Sequence, residues 1–183
     1  MAYKNKIISN KTTGQSIRFL QTAKDTNGKL LEMETTYEPG SKEPAAHYHP
    51  NQEEIFTVIS GELTVRINKE IKKLTAGDVL HFPKNTVHSM WNGSDGVTVV
   101  NWKVLPAFDT EYFLETAMGI AADGKINEKG MPPFFQTVML ADRYSPEFRL
   151  AKPPYAIQKI IFNLLKPIGY LLGYRPVHKK YLN

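Results

Sequence analysis

Four residues in the first half of the sequence have the types and the spacing of a metal site. His47 and His49 are separated by one residue, Glu54 follows after four more, and His88 lies further along the chain. Side chains at positions i and i+2 of a β-strand project from the same face, so this spacing predicts that both imidazoles of the H-x-H pair reach one point. Three neutral imidazoles and one carboxylate suit Fe(II), Mn(II), Ni(II), Cu(II) or Zn(II) and leave one or two coordination positions for substrate or water. The sequence contains no cysteine, so thiolate zinc and iron–sulfur sites are excluded.

Neighbouring polar residues offer alternatives to this ligand set. Glu53 is the alternative carboxylate, but the phase of the strand favours Glu54 and leaves Glu53 in solvent. Gln52 could reach a pocket from its loop, although a surface turn is the preferred interpretation. His81 alternates with two apolar neighbours that are expected to face the core, so it is predicted to point outward. His178 lies in a basic C-terminal stretch with no pattern around it and is not predicted to be a ligand.

Two gapped patterns contain the four candidate ligands, one within residues 40–61 and the other within residues 77–92. The residues of the two patterns are Gly40, His47, His49, Glu54 and Gly61, and then Gly77, Pro83, Asn85, His88 and Asn92. Together they resemble the two sequence motifs of the cupin superfamily, in the same order and with a short region between them. The sequence departs from the usual pattern by one extra residue after Gly40 and by Asn85 in place of a glycine. Asparagine tolerates the left-handed backbone that such a turn requires, so the turn is expected to form.

The resemblance has consequences for fold, ligands and assembly. It implies a mainly β protein, with a cupin jelly-roll β-barrel that is often dimeric. It also implies one divalent transition metal in the barrel mouth, held by His47, His49, Glu54 and His88.

Composition and charge limit the classes of protein to which this chain can belong. The 183 residues are 42% apolar and 22% charged, which is typical of one globular domain with or without an appendage and excludes a disordered or collagen-like chain. We expect a cytoplasmic protein, because the N-terminal residues lack the apolar core of a signal peptide and no run of apolar residues is long enough to span a membrane. The net charge of +5 is modest and no nucleic-acid-binding motif is present, so no nucleic-acid partner is predicted.

Turn signals divide the chain into a β part and a helical part. Short alternating segments within residues 6–105 predict strands, and Asn27-Gly28 predicts a tight hairpin between two of them. After Pro106 the apolar spacing becomes helical, with helices predicted at residues 109–122, 132–140 and 155–166 and with Pro167 expected to kink or end the last one. The predicted organisation is a barrel domain of residues 1–106 and a helical C-terminal extension of residues 107–183.

Strand alternation places apolar and aromatic residues on the same inward faces as the candidate ligands. An interior of this kind suits a small, flat or apolar organic molecule better than a phosphorylated sugar. The residues predicted to line the substrate pocket are Tyr37, Phe56, Val58, Met90 and Trp102.

The ligand set and the resemblance lead to two functional hypotheses. The first is an enzyme similar to mononuclear, metal-dependent dioxygenases, in which the three histidines are neutral ligands and Glu54 is the fourth ligand or a catalytic general base. The alternative is a cupin that binds a small molecule or catalyses a non-redox isomerisation or hydrolysis with the same four residues. The fold cannot separate them, because this barrel hosts many chemistries.

The C-terminal part combines apolar and basic residues. Isoleucine and leucine residues of the stretch 157–172 form a dense stripe at helical spacing, and seven basic residues but no acidic one follow Phe148. We expect this stripe to pack against the barrel or against the second subunit of a homodimer. The alternative is a basic amphipathic helix that lies on an anionic membrane surface.

Overall fold

The computed structural model describes residues 1–182, and its strands form the two sheets of a jelly-roll. One sheet has the strand order β1-β2-β3-β10-β5-β8 and the other has the order β11-β4-β9-β6-β7. Neighbouring strands pair antiparallel in both. The strands are β1 (Ile7–Asn10), β2 (Gln15–Gln21), β3 (Leu31–Tyr37), β4 (His47–Tyr48), β5 (Glu53–Ser60), β6 (Glu62–Ile67), β7 (Glu70–Thr75), β8 (Val79–Phe82), β9 (His88–Trp91), β10 (Thr98–Leu105) and β11 (Arg149–Leu150).

Alternating burial along the strands explains why this sequence forms a closed interior. In β3 every second residue is buried and the residues between are partly exposed. β10 lies between β3 and β5, so its inward residues Val100 and Val104 are fully buried between two neighbours. Burying one apolar face of each strand is the main stabilising contribution available to a two-layered β fold.

Three turns depend on residues that accept a positive φ angle. Asn27 and Gly28 have φ angles of 52° and 77° and lie between the antiparallel strands β2 and β3, but the connection spans residues 22–30, so the predicted tight hairpin is wrong. Asn85 has a φ angle of 65°, which is the conformation expected where the usual pattern has glycine. At Gly61, which joins β5 to β6, an added Cβ atom would lie 2.5 Å from the carbonyl oxygen of Val97, so only glycine fits there.

Three helices follow β10, with β11 between the second and the third, and their positions agree with the helical spacing of the sequence. They are α1 (Thr110–Ala122), α2 (Phe134–Arg143) and α3 (Tyr155–Leu171). The mainly β fold with a helical C-terminal part is therefore confirmed, whereas the division into two domains stays a prediction.

Helix α3 continues through Pro167, so of the two predicted outcomes the end of the helix at this residue is wrong, while a kink stays a prediction. Proline removes one helical hydrogen bond and its ring disfavours a continuous helix. Contacts with α2 on both sides of the proline offset that cost. Lys166 Nζ lies 2.6 Å from Asp142 Oδ2, and Gly169 packs so closely on Met139 that an added Cβ would lie 3.0 Å from the sulfur.

Helix α1 is attached directly to the jelly-roll. Its residues Leu114 and Met118 belong to the same buried cluster as Ile17 and Phe19 of β2. The ammonium group of Lys6 lies 2.6 Å from the carboxylate of Glu115, which is fully buried. The first helix thus shares the core of the strands.

The apolar stripe of α3 is only partly covered. Phe162 is buried against Val138 and Ala141 of α2, but a second set of apolar side chains is between 43% and 87% exposed. Packing of the whole stripe against the barrel is therefore not observed, and coverage by a second subunit stays a prediction. None of the helices within residues 1–182 has the length and apolarity that a membrane-spanning segment needs. The exposed residues are Ile157, Ile160, Leu164, Ile168, Leu171 and Leu172.

Candidate metal centre

Strand pairing brings the candidate ligands together. β4 and β9 are neighbours, and their register places His47 directly opposite His88. His49 follows the end of β4, and Glu54 lies near the start of β5 in the facing sheet. The side chains of His49, Glu54 and His88 are each at most 8% exposed.

The ring nitrogens and one carboxylate oxygen converge within a small volume. One nitrogen from each of His47, His49 and His88 lies within 4.8 Å of the others. Oε2 of Glu54 lies 3.0 Å from Nε2 of His88 and 3.2 Å from Nε2 of His49. Atoms at these separations can share one ion at ordinary coordination distances after small side-chain adjustments.

Backbone carbonyl groups determine which nitrogen of each ring faces the centre. A carbonyl oxygen can only accept a hydrogen bond, so the Nδ1 atom beside it donates, and Nε2 of the neutral ring carries the lone pair. All three histidines have such a partner. The pairs are His47 Nδ1 with Ala45 O at 3.0 Å, His49 Nδ1 with Glu147 O at 2.7 Å and His88 Nδ1 with Thr86 O at 2.9 Å.

Three of the converging atoms have no hydrogen-bond partner within residues 1–182. They are Nε2 of His49, Nε2 of His88 and Oε2 of Glu54, and all are buried. Lone pairs that face one another without a proton or a cation between them are unfavourable, and buried polar atoms without partners cost free energy. The donor set therefore fits a divalent transition metal, which would satisfy all three atoms at once.

The electrostatic environment favours the metal-binding forms of His47 and Glu54, whereas at His49 it favours the protonated ring, from which a metal would have to displace the proton. Burial lowers the pKa of His47 to about 3, and the two neighbouring histidines act in the same direction. This ring is therefore neutral at pH 7. Burial alone would raise the pKa of Glu54, but His49 and His88 hold it below its ordinary value, so the group is a carboxylate. Burial opposes the charged form of His49, yet the Glu54 carboxylate outweighs it and raises the pKa of this ring.

The second oxygen of Glu54 is held by the indole of Trp102. Nε1 of Trp102 donates to Oε1 of Glu54 at 3.0 Å, and the indole stacks on Phe56 with ring centroids 5.5 Å apart. The register of β5 and β10 places Trp102 opposite Phe56, which fixes this stack. Glu54 is thus oriented through one oxygen, while the other points toward the histidines.

A cavity of about 260 Å³ borders all four candidate ligands. Tyr37, Phe56, Met90 and Trp102 line it, as the alternation of the strands predicts. Val58 packs in the apolar core instead, and its contact with a substrate stays a prediction. Two residues of β-strand advance the chain by about 6.8 Å, and this step takes Val58 past the cavity into the packed core around Leu63 and Val65.

The helical part supplies the rest of the cavity wall. Most of its contributions are apolar, so the cavity combines a polar cluster with an apolar surround. Phe148 also contacts the site directly, because its ring centroid lies 4.8 Å from that of His47. The apolar wall residues from α1 and α2 are Phe113, Leu114, Ala117, Met118, Leu140 and Ala141.

Gln52 lies inside the protein, so its interpretation as part of a surface turn is wrong. It is 1% exposed and borders the cavity. Its side-chain nitrogen donates to Pro106 O at 2.7 Å and to Thr110 Oγ1 at 2.8 Å, which ties the approach to β5 to the start of α1. The alternation that places Glu54 inward extends back to Gln52, so this signal was present in the sequence.

The other polar residues considered as candidate ligands, Glu53, His81 and His178, lie outside the site. His81 and Glu53 are about half exposed and contact each other at 3.1 Å, as expected for an outward-facing pair. His178 contacts Gln136 of α2 with its ring nitrogen at 3.3 Å. Sequence reasoning missed Glu147 and Phe148, which no spacing or periodicity links to the histidines.

Comparison with known proteins agrees with this geometry. Residues 33–103 match the family model described as the cupin domain, and these residues include the four candidate ligands and the whole of strands β4 to β9. Residues 33–103 are therefore a cupin domain. The matched residues end before α1, so the helical part of this cupin lies outside the family match.

Curated relatives share only part of their length with this cupin. Quercetin 2,3-dioxygenase of Bacillus subtilis is 32% identical over 78 residues, which are 43% of this chain and 23% of that protein. A protein named as an oxidoreductase in Arthrobotrys oligospora is 54% identical over 41 residues, which are 22% of this chain and 16% of that protein. The chain therefore matches less than a quarter of the length of each of these two relatives.

Solved structures also match part of the chain. An RmlC-like cupin from Shewanella frigidimarina is 22% identical, with a TM-score of 0.49 over 58% of this chain and 88% of that one.

Proposed function

We propose that this cupin is a metal-dependent oxidoreductase of the dioxygenase type that acts on a small, mainly apolar organic molecule. The observation that carries the proposal is the convergence of His49 Nε2, His88 Nε2 and Glu54 Oε2 beside an apolar cavity, all three atoms being buried and without hydrogen-bond partners among residues 1–182. The names of two relatives, a dioxygenase and an oxidoreductase, point to the same type of chemistry.

His47, His49, His88 and Glu54 would hold the metal. A bound divalent metal supplies Lewis acidity toward an enol, phenol or carbonyl oxygen and, where it is redox-active, a route to reaction with dioxygen. Because carbonyl groups fix Nδ1 of each ring, the imidazoles present their lone pairs without reorganisation.

Glu54 is the residue proposed to handle the proton. Its Oε1 accepts from Trp102, and its Oε2 faces the histidines and the cavity wall. A carboxylate held in this way either stays a ligand or accepts the proton of an ionising substrate hydroxyl group. The hydrogen bond from Trp102 would stabilise the ionised form between turnovers.

The apolar walls are proposed to select the substrate. Phe56 and Trp102 offer stacked aromatic surfaces from the barrel, and the helices close the opposite side with aliphatic residues. A flat molecule with one ionisable oxygen satisfies both the polar cluster and the walls. An apolar surround lowers the local dielectric constant, which strengthens electrostatic interactions at the polar cluster.

The first experiment is elemental analysis of protein purified anaerobically without a histidine tag, followed by oxygen-uptake assays. Quercetin, simple phenols and β-diketones are the probes, and His49→Ala is the inactive control. Stoichiometric iron, manganese, nickel or copper together with substrate-dependent oxygen uptake is the expected result. Stoichiometric zinc without oxygen uptake would overturn the redox assignment in favour of isomerase or hydrolase chemistry. No metal after reconstitution would overturn the proposal and leave a barrel that binds small molecules without a metal.

The cytoplasmic location and the homodimer stay predictions.

A further inference from the structure

The segment 146–151, here called the strap, lies outside the cupin match and runs alongside the histidine-bearing segment. Its β11 pairs antiparallel with β4, with Arg149 opposite Tyr48 and Leu150 opposite His47. Beyond this pair, the amide of Ala151 donates to the carbonyl of Ala46 at 2.9 Å.

Contacts continue at the other end of the strap. The side-chain amide of Asn51 donates to the carbonyl of Pro146 at 2.9 Å. Between the contacts at the two ends of the strap, the carbonyl of Glu147 accepts from Nδ1 of His49 at 2.7 Å. The strap therefore follows residues 46–51 from one end to the other, including both histidines of the H-x-H pair.

The strap also covers the histidine rings and is anchored to the helices. The ring of Phe148 lies between His47, at 4.8 Å, and Phe113 of α1, at 5.1 Å. The carboxylate of Glu147 accepts from the amide of Asp109 at 3.3 Å, immediately before α1. A group held on both sides in this way is a rigid support for a ligand.

From these contacts we infer that the strap is a positioning element of the metal centre, with the Glu147 carbonyl setting the tautomer of His49 and Phe148 fixing the orientation of His47. The inference rests on the proposed metal site. His47 and His88 receive their carbonyl partners from residues two positions away on their own segments, whereas the partner of His49 comes from a residue 98 positions away. The ligand most dependent on the rest of the chain is therefore His49.

Loss of the strap contact has a defined chemical consequence. Without the carbonyl, the neutral His49 ring exchanges between its two tautomers, and the form that carries its proton on Nε2 cannot bind a metal there. Groups that orient a metal-bound histidine typically contribute 10–100-fold to metal affinity. A loosened strap is expected to weaken binding to about this extent without removing any ligand.

A side-chain substitution cannot remove a backbone carbonyl, so the test loosens the strap on both sides of it in the full-length protein. The variant is Asn51→Ala combined with Phe148→Ala. The control is Phe162→Ala, which removes a buried phenylalanine between α2 and α3, away from the histidines. Two measurements are made on each protein: long-range ¹H–¹⁵N NMR of the histidine rings without metal, and Co(II) and Zn(II) affinity by chelator competition.

In the parent protein and in the control, we expect His49 to be protonated at Nδ1 whenever it is neutral. In the strap variant we expect a mixture of tautomers and metal affinity lower by roughly 10–100-fold, while circular dichroism shows a folded protein. An unchanged His49 tautomer, or an equal loss of affinity in the control, would overturn the inference. If the parent protein binds no metal, the proposed function fails, and the NMR spectra of the metal-free proteins still decide whether the strap sets the tautomer.

Discussion

The interior of the barrel has two halves that are filled in different ways. Around Leu63 and Val65 the two sheets enclose a cluster of apolar side chains, and Leu63, Val65 and Val100 have no exposure. Around Glu54 the same two sheets enclose histidines, unpartnered polar atoms and a cavity. β5 connects the halves, because its inward side changes from Glu54 through Phe56 to Val58 within five residues.

The two halves differ in what they contribute: the half around Leu63 and Val65 stabilises the fold, and the half around Glu54 holds the candidate metal site. Close-packed apolar side chains gain free energy from burial, whereas buried polar atoms without partners lose it. The packed half therefore holds the two sheets in place, and the polar half depends on that support. Substitutions in the packed half are expected to lower the free energy of unfolding, and substitutions in the polar half are expected to weaken metal binding.

The largest effect is expected from removing the H-x-H pair. His47→Ala combined with His49→Ala should abolish metal binding while leaving the barrel folded, because the packed half is untouched. Elemental analysis and circular dichroism measure the two effects. His81→Ala is the matched control, since His81 is half exposed and contacts only Glu53 among the candidate residues. Retained stoichiometric metal in the double variant would show that the site lies elsewhere.

In the packed half we expect the opposite result, a loss of stability with metal binding retained. Leu63→Ala should lower the free energy of unfolding by about 2–5 kcal/mol, because Leu63 is fully buried and its truncation leaves a cavity. Denaturant titration measures the loss, with Leu164→Ala on the exposed face of α3 as control. Metal stoichiometry of the folded fraction should stay unchanged. A parallel loss of metal would mean that the two halves are coupled.

A smaller effect is expected at the boundary between the halves. Trp102→Phe keeps an aromatic ring beside Phe56 but removes the hydrogen bond to Glu54. Metal affinity should fall by roughly tenfold, as is usual when a group that orients a ligand is lost. Chelator competition measures the change, and Trp91→Phe provides the control. Equal metal affinity in both variants would show that Trp102 does not contribute to metal binding.

The smallest effect is expected at the helical wall. Ala117→Phe places a large ring in the cavity opposite the metal cluster and should weaken binding of quercetin by roughly tenfold without altering metal content. Ala122→Phe, at the exposed end of α1, is the control. Isothermal titration of the metal-loaded proteins measures the difference. Unaltered binding in the cavity variant would place the ligand outside this cavity.

The sequence determined the features that depend on neighbours along the chain. Strand alternation is a local property, so the shared face of His47 and His49, the inward position of Phe56 and the outward position of His81 followed from spacing alone. The left-handed turns at Asn27 and Asn85 are equally local, because they depend on which residues accept a positive φ angle. The same rule would have placed Gln52 inside had it been extended two residues back from Glu54.

Only the tertiary structure decided which distant segments meet. Strand alternation gives the face on which Val58 lies but not the depth at which the cavity ends, and that depth follows from the packing of the two sheets. The approach of the Glu147 carbonyl to His49, and the passage of α3 through Pro167, depend on contacts between elements that no local pattern encodes. Packing free energy is shared among many residues far apart in the chain, so the positions of the helices and of the strap arise from the whole fold rather than from any one segment.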